Sequence, residues 1–544
     1  MFSEYGEATD RPWVKNYLPG VPADIELPTE PLTALVEDAV AAAGDSAAIE
    51  FRGVTTTYAQ LGEQISRAAE GLRRLGVQAG DRVAIILPNC PQQVVAFHAT
   101  LRLGAVVVEQ SPALTVPELQ RMRADHGAKV AVCWTECADR WEEAGDEGHI
   151  VLVDIDDGQT GRFQSADKRN RSTWADLLES GELDPAHVKP QVSDLATIQY
   201  TSGTTGFPQG VMLTHFNLYA NARQGAATFY GAQPGDVFYA VMPMAHGMGV
   251  TLYLTTALLL RARLVVFAKF DADEIIRTWR VLPPASIIAI PRMFARITAA
   301  ARAQGFALTP VKFAMSGASR LPDFVAEDWE LATGSVLPEG YGLTETSPLC
   351  LANPFREARR RGTVGWPAPS TLMRVLNPDT GDDASPGERG ELLIKGPQVF
   401  AGYWNNPDAT ARALLPGGWL RTGDIVTVDS DGFVTLVDRA KELIRFKGFS
   451  VSPSEVEEVV RQCPGVAEVV VVGVPNDLGE EVVCAAVQLE PGAGVSETEL
   501  DAYCRKHLAG YKTPKRFLLV ESLPFTGLGK IPRKAVAELF DKES

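Results

Sequence analysis

Short apolar runs that alternate with helix-length segments set the tightest limit on what this chain can become. Val83 to Leu87 reads as a strand that Pro88-Asn89 stops, Pro91 to Arg102 as a helix, and Ala105 to Val108 as a second strand. The pattern returns near Lys129 to Cys133. Strand–helix–strand units favour parallel sheets covered by helices. Leu264 to Phe267 and Ser286 to Ile290 add further buried strands. Upstream, residues 34 to 75 read as helices around a hairpin, with a turn at Phe51-Arg52-Gly53 and a strand at Thr55 to Tyr58. Asp154 to Ser172 is polar and patternless, so a surface loop is expected there. The predicted class is α/β.

The character changes near Asp438. A helix (Pro453 to Arg461), strands (Val469 to Val472 and Val482 to Gln488), a helix (Glu497 to His507) and a strand (Phe517 to Val520) follow. They make an α+β unit of about one hundred residues, a usual domain size. The expected organisation is a large N-terminal domain, residues 1–437, and a small C-terminal domain, residues 438–544. A chain of 544 residues can bury more than one core. No tandem repeat or low-complexity tract is visible.

Charge and cysteines narrow the function. A net charge of -17 argues against a general nucleic-acid binder, which needs a basic surface for phosphates. It also disfavours anionic membranes. The basic run Arg359-Arg360-Arg361 reads as a solvated loop. The 7 cysteines are dispersed, with no CxxC pair and no metal-ligand spacing, which suggests reduced thiols in a cytoplasm. Met1 to Asp10 is acidic and polar, unlike a secretory signal. The most apolar stretch, Val250 to Leu260, is too short to span a bilayer, so membrane contact is at most peripheral.

One run carries chemistry by itself: Tyr200-Thr201-Ser202-Gly203-Thr204-Thr205-Gly206-Phe207-Pro208-Gln209-Gly210, after a strand at Ala196 to Gln199. Glycines let backbone N–H groups turn toward an anion, and the hydroxyls add donors. The result is a phosphate cradle. It is not a Walker A loop, because the Gly-Lys-Ser/Thr ending is missing.

Four further motifs follow in order. They are Glu339-Gly340-Tyr341-Gly342-Leu343-Thr344-Glu345-Thr346, Gly418-Trp419-Leu420-Arg421-Thr422-Gly423-Asp424, Asp438-Arg439-Ala440-Lys441-Glu442 and Thr526-Gly527-Leu528-Gly529-Lys530-Ile531. Together the five motifs resemble the adenylate-forming superfamily of acyl-CoA synthetases, luciferases and peptide-synthetase adenylation domains. The resemblance runs from about Leu32 to Leu539. It implies a large sheet-containing domain and a small mobile one, with ATP, Mg²⁺ and coenzyme A as reactants and cofactor.

The resemblance also implies residue roles. Thr201, Ser202, Gly203, Thr204, Thr205 and Gly206 would hold the β- and γ-phosphates. Thr201 and Glu345 would hold Mg²⁺, which suits hard oxygen ligands. Gly317, Ala318 and Ser319, after a strand at Lys312 to Met315, would lie along the adenine, and Tyr341 would stack on it. Glu339, Gly340, Gly342 and Thr344 belong to the same nucleotide site. Asp424 would bind the ribose hydroxyls and Arg439 ribose or phosphate. Lys530 would reach the attacking carboxylate and the α-phosphate. Lys441 would be the hinge on which the small domain turns between half-reactions. Lys447, Gly448 and Phe449 would build the coenzyme A site.

Pro243 to Val250 resembles the segment that lines the acyl pocket, with Ala245, His246, Gly247, Gly249 and Val250 as its members. The small residues Ala245, Gly247 and Gly249 are expected to leave open volume, which suits an alkyl chain at about 0.8 kcal/mol per buried CH₂. Arg11-Pro12-Trp13 and Leu87-Pro88-Asn89-Cys90-Pro91 look like phrases of bacterial medium- or long-chain fatty acid–CoA ligases. The partner expected is therefore a fatty acid, with a homodimer allowed and no nucleic acid. The alternatives are an enzyme that loads the acyl group on a separate carrier protein, a ligase for aryl or other acids, a luciferase-like oxidoreductase, and a scaffold that has lost catalysis. One departure stands out. Gln209 occupies the position where relatives usually carry Lys, so a weaker hold on pyrophosphate is expected.

Overall fold

The structure is a computed structural model that describes residues 11–145, 148–155, 170–201, 208–356, 358–377, 380–439, 442, 444–446, 449–451, 453–475, 481–508, 510, 512–525 and 531–541. It is mixed α/β, with a larger N-terminal domain and a smaller C-terminal one. By contact density the chain divides into Met1–Met373, Ile394–Leu420 and Asp431–Phe433 as one compact unit, and Arg374–Leu393, Arg421–Ser430 and Val434–Ser544 as the other.

The first unit contains an 8-stranded sheet among its described residues. Its central members are β1 (Arg82–Ile86), β2 (Val106–Glu109) and β3 (Leu195–Thr201), with β4 (Gln209–Thr214) and β5 (Gly402–Tyr403) at one end. β1 pairs in parallel with β2, and β2 with β3, whereas β4 and β5 run antiparallel. The helix α1 (Pro91–Arg102) connects β1 to β2. Proline at its first turn costs no hydrogen bond there, which explains its sharp start. Val83 to Ile86 of β1 and Val106 to Val108 of β2 are apolar and buried, as expected of parallel strands at the centre of a covered sheet.

A second, 6-stranded sheet in this unit contains Val237–Ala240, Arg263–Val266, Ser286–Ala289 and Phe313–Ser316. The predicted hairpin is present as Ala47–Phe51 and Val54–Thr57, with Arg52 and Gly53 both at positive φ in the turn. That geometry matches the twist of the flanking strands. Tyr58 begins a helix instead of ending the strand, because Thr57 caps it through Gln60 N. The expected loop at Asp154 to Ser172 needs correction at its end: Arg171–Thr173 is a strand, paired in parallel with His149–Val153. Residues 156–169 lie outside the described residues.

Arg359, Arg360 and Arg361 are not simply solvated. Arg359 and Arg361 grip Glu330 at 2.5 and 2.6 Å, Arg361 also reaches Glu327 at 2.9 Å, and Arg360 pairs with Asp431 at 3.2 Å. Arg359 and Arg361 thereby hold the chain against the helix Asp323–Thr333.

The second unit holds a 3-stranded sheet of Val466–Pro475, Glu481–Leu489 and Arg516–Val520. Period-two alternation gives it two buried faces. Val469, Val471, Val483 and Ala485 form a core with Leu500 and Cys504 of Glu497–His507 and Val456 and Val460 of Pro453–Arg461. Val470, Val472, Cys484 and Ala486 pack on Val536 and Phe540 of Arg533–Asp541. All seven cysteines of the chain are free and buried. No helix among the described residues is long and apolar enough to cross a membrane.

Candidate active site

The strands that flank the expected phosphate cradle pair as a β-hairpin. β3 runs through Tyr200 to Thr201, two residues beyond the strand read from the sequence, and β4 starts at Gln209, the register partner of Thr201. Ser202, Gly203, Thr204, Thr205 and Gly206 lie outside the described residues. Both ends of the loop are held. Tyr200 Oη donates to Asp125 Oδ2 at 2.6 Å, and Trp404 N donates to the Gly210 carbonyl at 2.7 Å. Burial, followed by the Asp125 carboxylate, pushes the Tyr200 phenol upward, so it stays a neutral donor.

Glu345 lies in the short 3₁₀ turn Thr344–Thr346. Its Oε1 accepts from Tyr403 Oη at 2.8 Å, and its carbonyl accepts from Phe400 N at 2.9 Å. Tyr403 is the register partner of Val211 in β4, two residues along that strand from Gln209. The sheet thus carries the Glu345 carboxylate to the side of the hairpin that bears Thr201. Burial and the neighbouring carboxylate raise the Tyr403 phenol, which therefore donates and does not ionise. Nothing local to Gly402-Tyr403-Trp404 signals this role, which comes from strand pairing alone.

Gly340–Gly342 forms a strand against Leu349–Ala352. A Cβ at Gly342 would fall inside the surface of the Pro348 carbonyl oxygen, so only glycine allows that approach. Tyr341 between them is half-buried. Ser316 bridges in parallel to Glu339, which sets Gly317, Ala318 and Ser319 beside this strand. A Cβ on Gly317 would stand 3.6 Å from the Gly340 carbonyl oxygen and 3.0 Å from Met248 Cε. Ala318 holds φ at 65°, a left-handed conformation that a side chain rarely adopts and that concentrates at functional sites. Glu339 is buried, which pushes its carboxyl up to about 7.

Residues 243–250, expected from the sequence to line an acyl pocket, meet the same place. A Cβ on Gly247 would lie 3.1 Å from Gln199 Oε1 and 3.7 Å from Thr344 Oγ1. His246 Nδ1 accepts from Met248 N at 3.3 Å, and Ala245 is half-buried. The expectation that the glycines leave open volume fails at Gly249. A Cβ there would collide with the Pro243 carbonyl, so this glycine serves close backbone packing. Val250 is fully buried and opens a π-helical run, Val250–Thr256, continuous with Ala257–Leu259. Such π segments are rare and concentrate at functional sites. Asn89 pins the segment. Its Nδ2 donates to the Met242 carbonyl at 2.8 Å, and its Oδ1 accepts from Met244 N at 2.7 Å. The sequence marked Asn89 as a strand stop and as part of a family-like phrase, without this role.

In the second unit, Asp424 on β6 (Trp419–Val428) is the register partner of Arg439 on β7 (Val434–Arg439). Asp424 is 5% exposed, and its N–H donates to Thr422 Oγ1 at 3.1 Å. Gly423 takes φ of 71° at the bend before it. Phe449 belongs to the strand Phe449–Val451. Lys441, Lys447, Gly448 and Lys530 lie outside the described residues.

Among the described residues no group of three His, Cys, Asp or Glu side chains could hold a metal. The hydroxyl of Thr201 and the carboxylate of Glu345, expected from the sequence to hold Mg²⁺, are oxygen donors of the kind that ion takes.

Comparison with known proteins agrees with this geometry. The AMP-binding enzyme family matches residues 36–404, and the AMP-binding enzyme C-terminal domain matches residues 455–530. A long-chain-fatty-acid–CoA ligase of Bacillus subtilis is 34% identical, across 97% of this chain and 98% of that protein. A 4-coumarate–CoA ligase of Solanum tuberosum is 32% identical, across 88% of each. The crystal structure of ATP-bound MatB from Rhodopseudomonas palustris superposes with a TM-score of 0.83 at 29% identity, covering 94% of this chain and 99% of that one. Matches of this extent show that the chain belongs to the AMP-binding enzymes, as an adenylate-forming acid–thiol ligase using ATP and coenzyme A.

Proposed function

We propose that this ligase activates a fatty acid as acyl-AMP and transfers the acyl group to coenzyme A. The observation that carries the substrate class is the match to a long-chain-fatty-acid–CoA ligase along 97% of the chain, against 88% for the 4-coumarate relative. The buried apolar wall of Val250, Tyr253 and Leu254 behind the acyl segment supports an alkyl chain.

A carboxylate is a poor acyl donor because its leaving group would be oxide. Its oxygen attacks the α-phosphorus of ATP, the bond to pyrophosphate breaks, and a mixed anhydride forms. The thiol of coenzyme A then attacks the acyl carbon and AMP leaves. Positioning and charge neutralisation do most of this work. Ser202, Gly203, Thr204, Thr205 and Gly206 are the proposed cradle for the leaving phosphates. Mg²⁺, held by Thr201 and Glu345, would draw charge from the phosphate oxygens. Tyr403 orients Glu345 by its hydrogen bond. Gly317, Ala318, Ser319, Glu339, Gly340, Tyr341, Gly342 and Thr344 take the adenine side, while Asp424 and Arg439 take the ribose.

Lys530 is the proposed cation between the attacking carboxylate and the α-phosphate. A small domain from residue 438 onward, hinged at Lys441, would present Lys530 for the first half-reaction. It would present Lys447, Gly448 and Phe449 to coenzyme A for the second, since one arrangement cannot serve both.

The test is AMP formation by the purified protein with ATP, Mg²⁺ and fatty acids of graded length, with and without coenzyme A. AMP and acyl-CoA that accumulate only with coenzyme A are expected. Faster turnover of cinnamate-type acids than of dodecanoate would overturn the substrate class. Acyl-AMP that ignores coenzyme A would point to a carrier protein as acceptor.

A further inference from the structure

A buried polar cluster outside the nucleotide residues lies against the acyl segment. Gln199 and Glu109 are register partners at the ends of β3 and β2, so their side chains leave the same face of the sheet. Thr201 leaves that face too, two residues beyond Gln199. Gln93, in the first turn of α1, donates through Nε2 to Glu109 Oε2 at 3.1 Å. Gln93 is 0% exposed, and Glu109 and Gln199 are 4% each. Four of their polar atoms have no hydrogen-bond partner among the described residues: both amide atoms of Gln199, Gln93 Oε1 and Glu109 Oε1.

Buried amides without partners are rare and call for an explanation. Gln199 Oε1 is also the atom nearest to a Cβ built on Gly247, at 3.1 Å. Burial pushes Glu109 up to about 8, so at neutral pH it offers a donor and an acceptor and no charge. Gln199 likewise offers both. An unsubstituted alkyl chain passing here would leave all of these groups unpaired. A hydroxyl or oxo oxygen would satisfy them. The cluster stands at the carboxyl ends of parallel strands, the edge where such sheets bind ligands.

We propose that Gln199 and Glu109 form a polar subsite beside Gly247 that recognises a hydroxyl or oxo group on the acid, a refinement that rests on the fatty-acid reading above. The two are specificity-determining residues. Gln93 positions Glu109 through its one observed bond.

The experiment compares dodecanoate with 2-, 3- and 12-hydroxydodecanoate and 3-oxododecanoate. Adenylation is followed as acid-dependent pyrophosphate exchange without coenzyme A, so that no contact to the thiol can contribute. A gained hydrogen bond in a closed site predicts kcat/KM about tenfold higher for at least one substituted acid. In Gln199→Leu that ratio should fall to about one, and in the near-isosteric Glu109→Gln it should change while Tm does not fall below that of the parent. If no substituted acid is preferred, or if the preference survives both substitutions, the subsite does not exist. If the variants change only the coenzyme A-dependent step, the cluster serves the thiol and the proposal is overturned. Failure of plain and substituted acids alike would instead refute the fatty-acid reading itself.

Discussion

Replacing Tyr403 by Phe removes one hydroxyl and keeps the ring. The ring makes an edge-on contact with Phe400 at 4.9 Å between centroids, and Phe preserves it. What disappears is the 2.8 Å bond to Glu345 Oε1. A hydrogen bond to an ionised acceptor contributes roughly 1.5–3 kcal/mol. Both groups are only half-buried, so solvent replaces part of that, leaving about 1.5–2 kcal/mol. At ~1.4 kcal/mol per decade, adenylation should slow by roughly 10–30-fold. The loss should grow at low Mg²⁺ and shrink at high Mg²⁺, because a loosened carboxylate binds the ion more weakly. Stability should fall by no more than that same 1.5–2 kcal/mol, roughly the worth of the one bond removed. The assay is acid-dependent pyrophosphate exchange across a Mg²⁺ titration, with a urea melt as control. A variant with parental rate and parental Mg²⁺ half-saturation would show that Tyr403 does not orient a metal-binding Glu345. A variant that merely unfolds earlier would show the tyrosine to be structural.

Three further outcomes are expected. Asn89→Ala strips the partners from Met242 and Met244 and should cost about 2–4 kcal/mol in urea unfolding while raising the KM for the acid, whereas an unchanged KM would separate Asn89 from the acyl segment. Glu109 is raised in the folded state, so the native protein holds a proton that the unfolded chain releases; stability from this group is fully present below the unfolded value of 4.5 and is lost at about 1.4 kcal/mol per pH unit up to about 8. Glu109→Gln should therefore gain over the parent as pH rises from 5 to 8 in urea melts, and parallel stability curves would refute a buried, protonated Glu109. Gln209→Lys restores a cation beside the cradle and should lower the ATP KM several-fold, roughly the effect of one added charge at a partly exposed site; identical kinetics would make that charge irrelevant.

The sequence by itself determined the local elements and the family. Pro91 at a first turn and apolar runs of four or five residues suffice to mark α1 and its flanking strands, because their signals lie within a dozen residues. The helices Pro453–Arg461 and Glu497–His507 match the ranges read from sequence for the same reason. The five motifs named the chemistry because phosphate and metal binding restrict residue types at fixed spacing. Only the tertiary structure decided the rest. Tyr403 meets Glu345 across 58 positions, and Met244 meets Asn89 across 155. Neither pair leaves a local pattern. The strand Arg171–Thr173 was illegible because three residues at a sheet edge gain their form from a neighbour, His149–Val153. Gly249 looked like space and proved to be contact, since the atom that excludes a side chain belongs to the Pro243 backbone. Glu109 would read as a solvated charge at the end of a strand. Its environment is set by α1 above it and β3 beside it, and burial is a property of what surrounds a residue rather than of the residue itself.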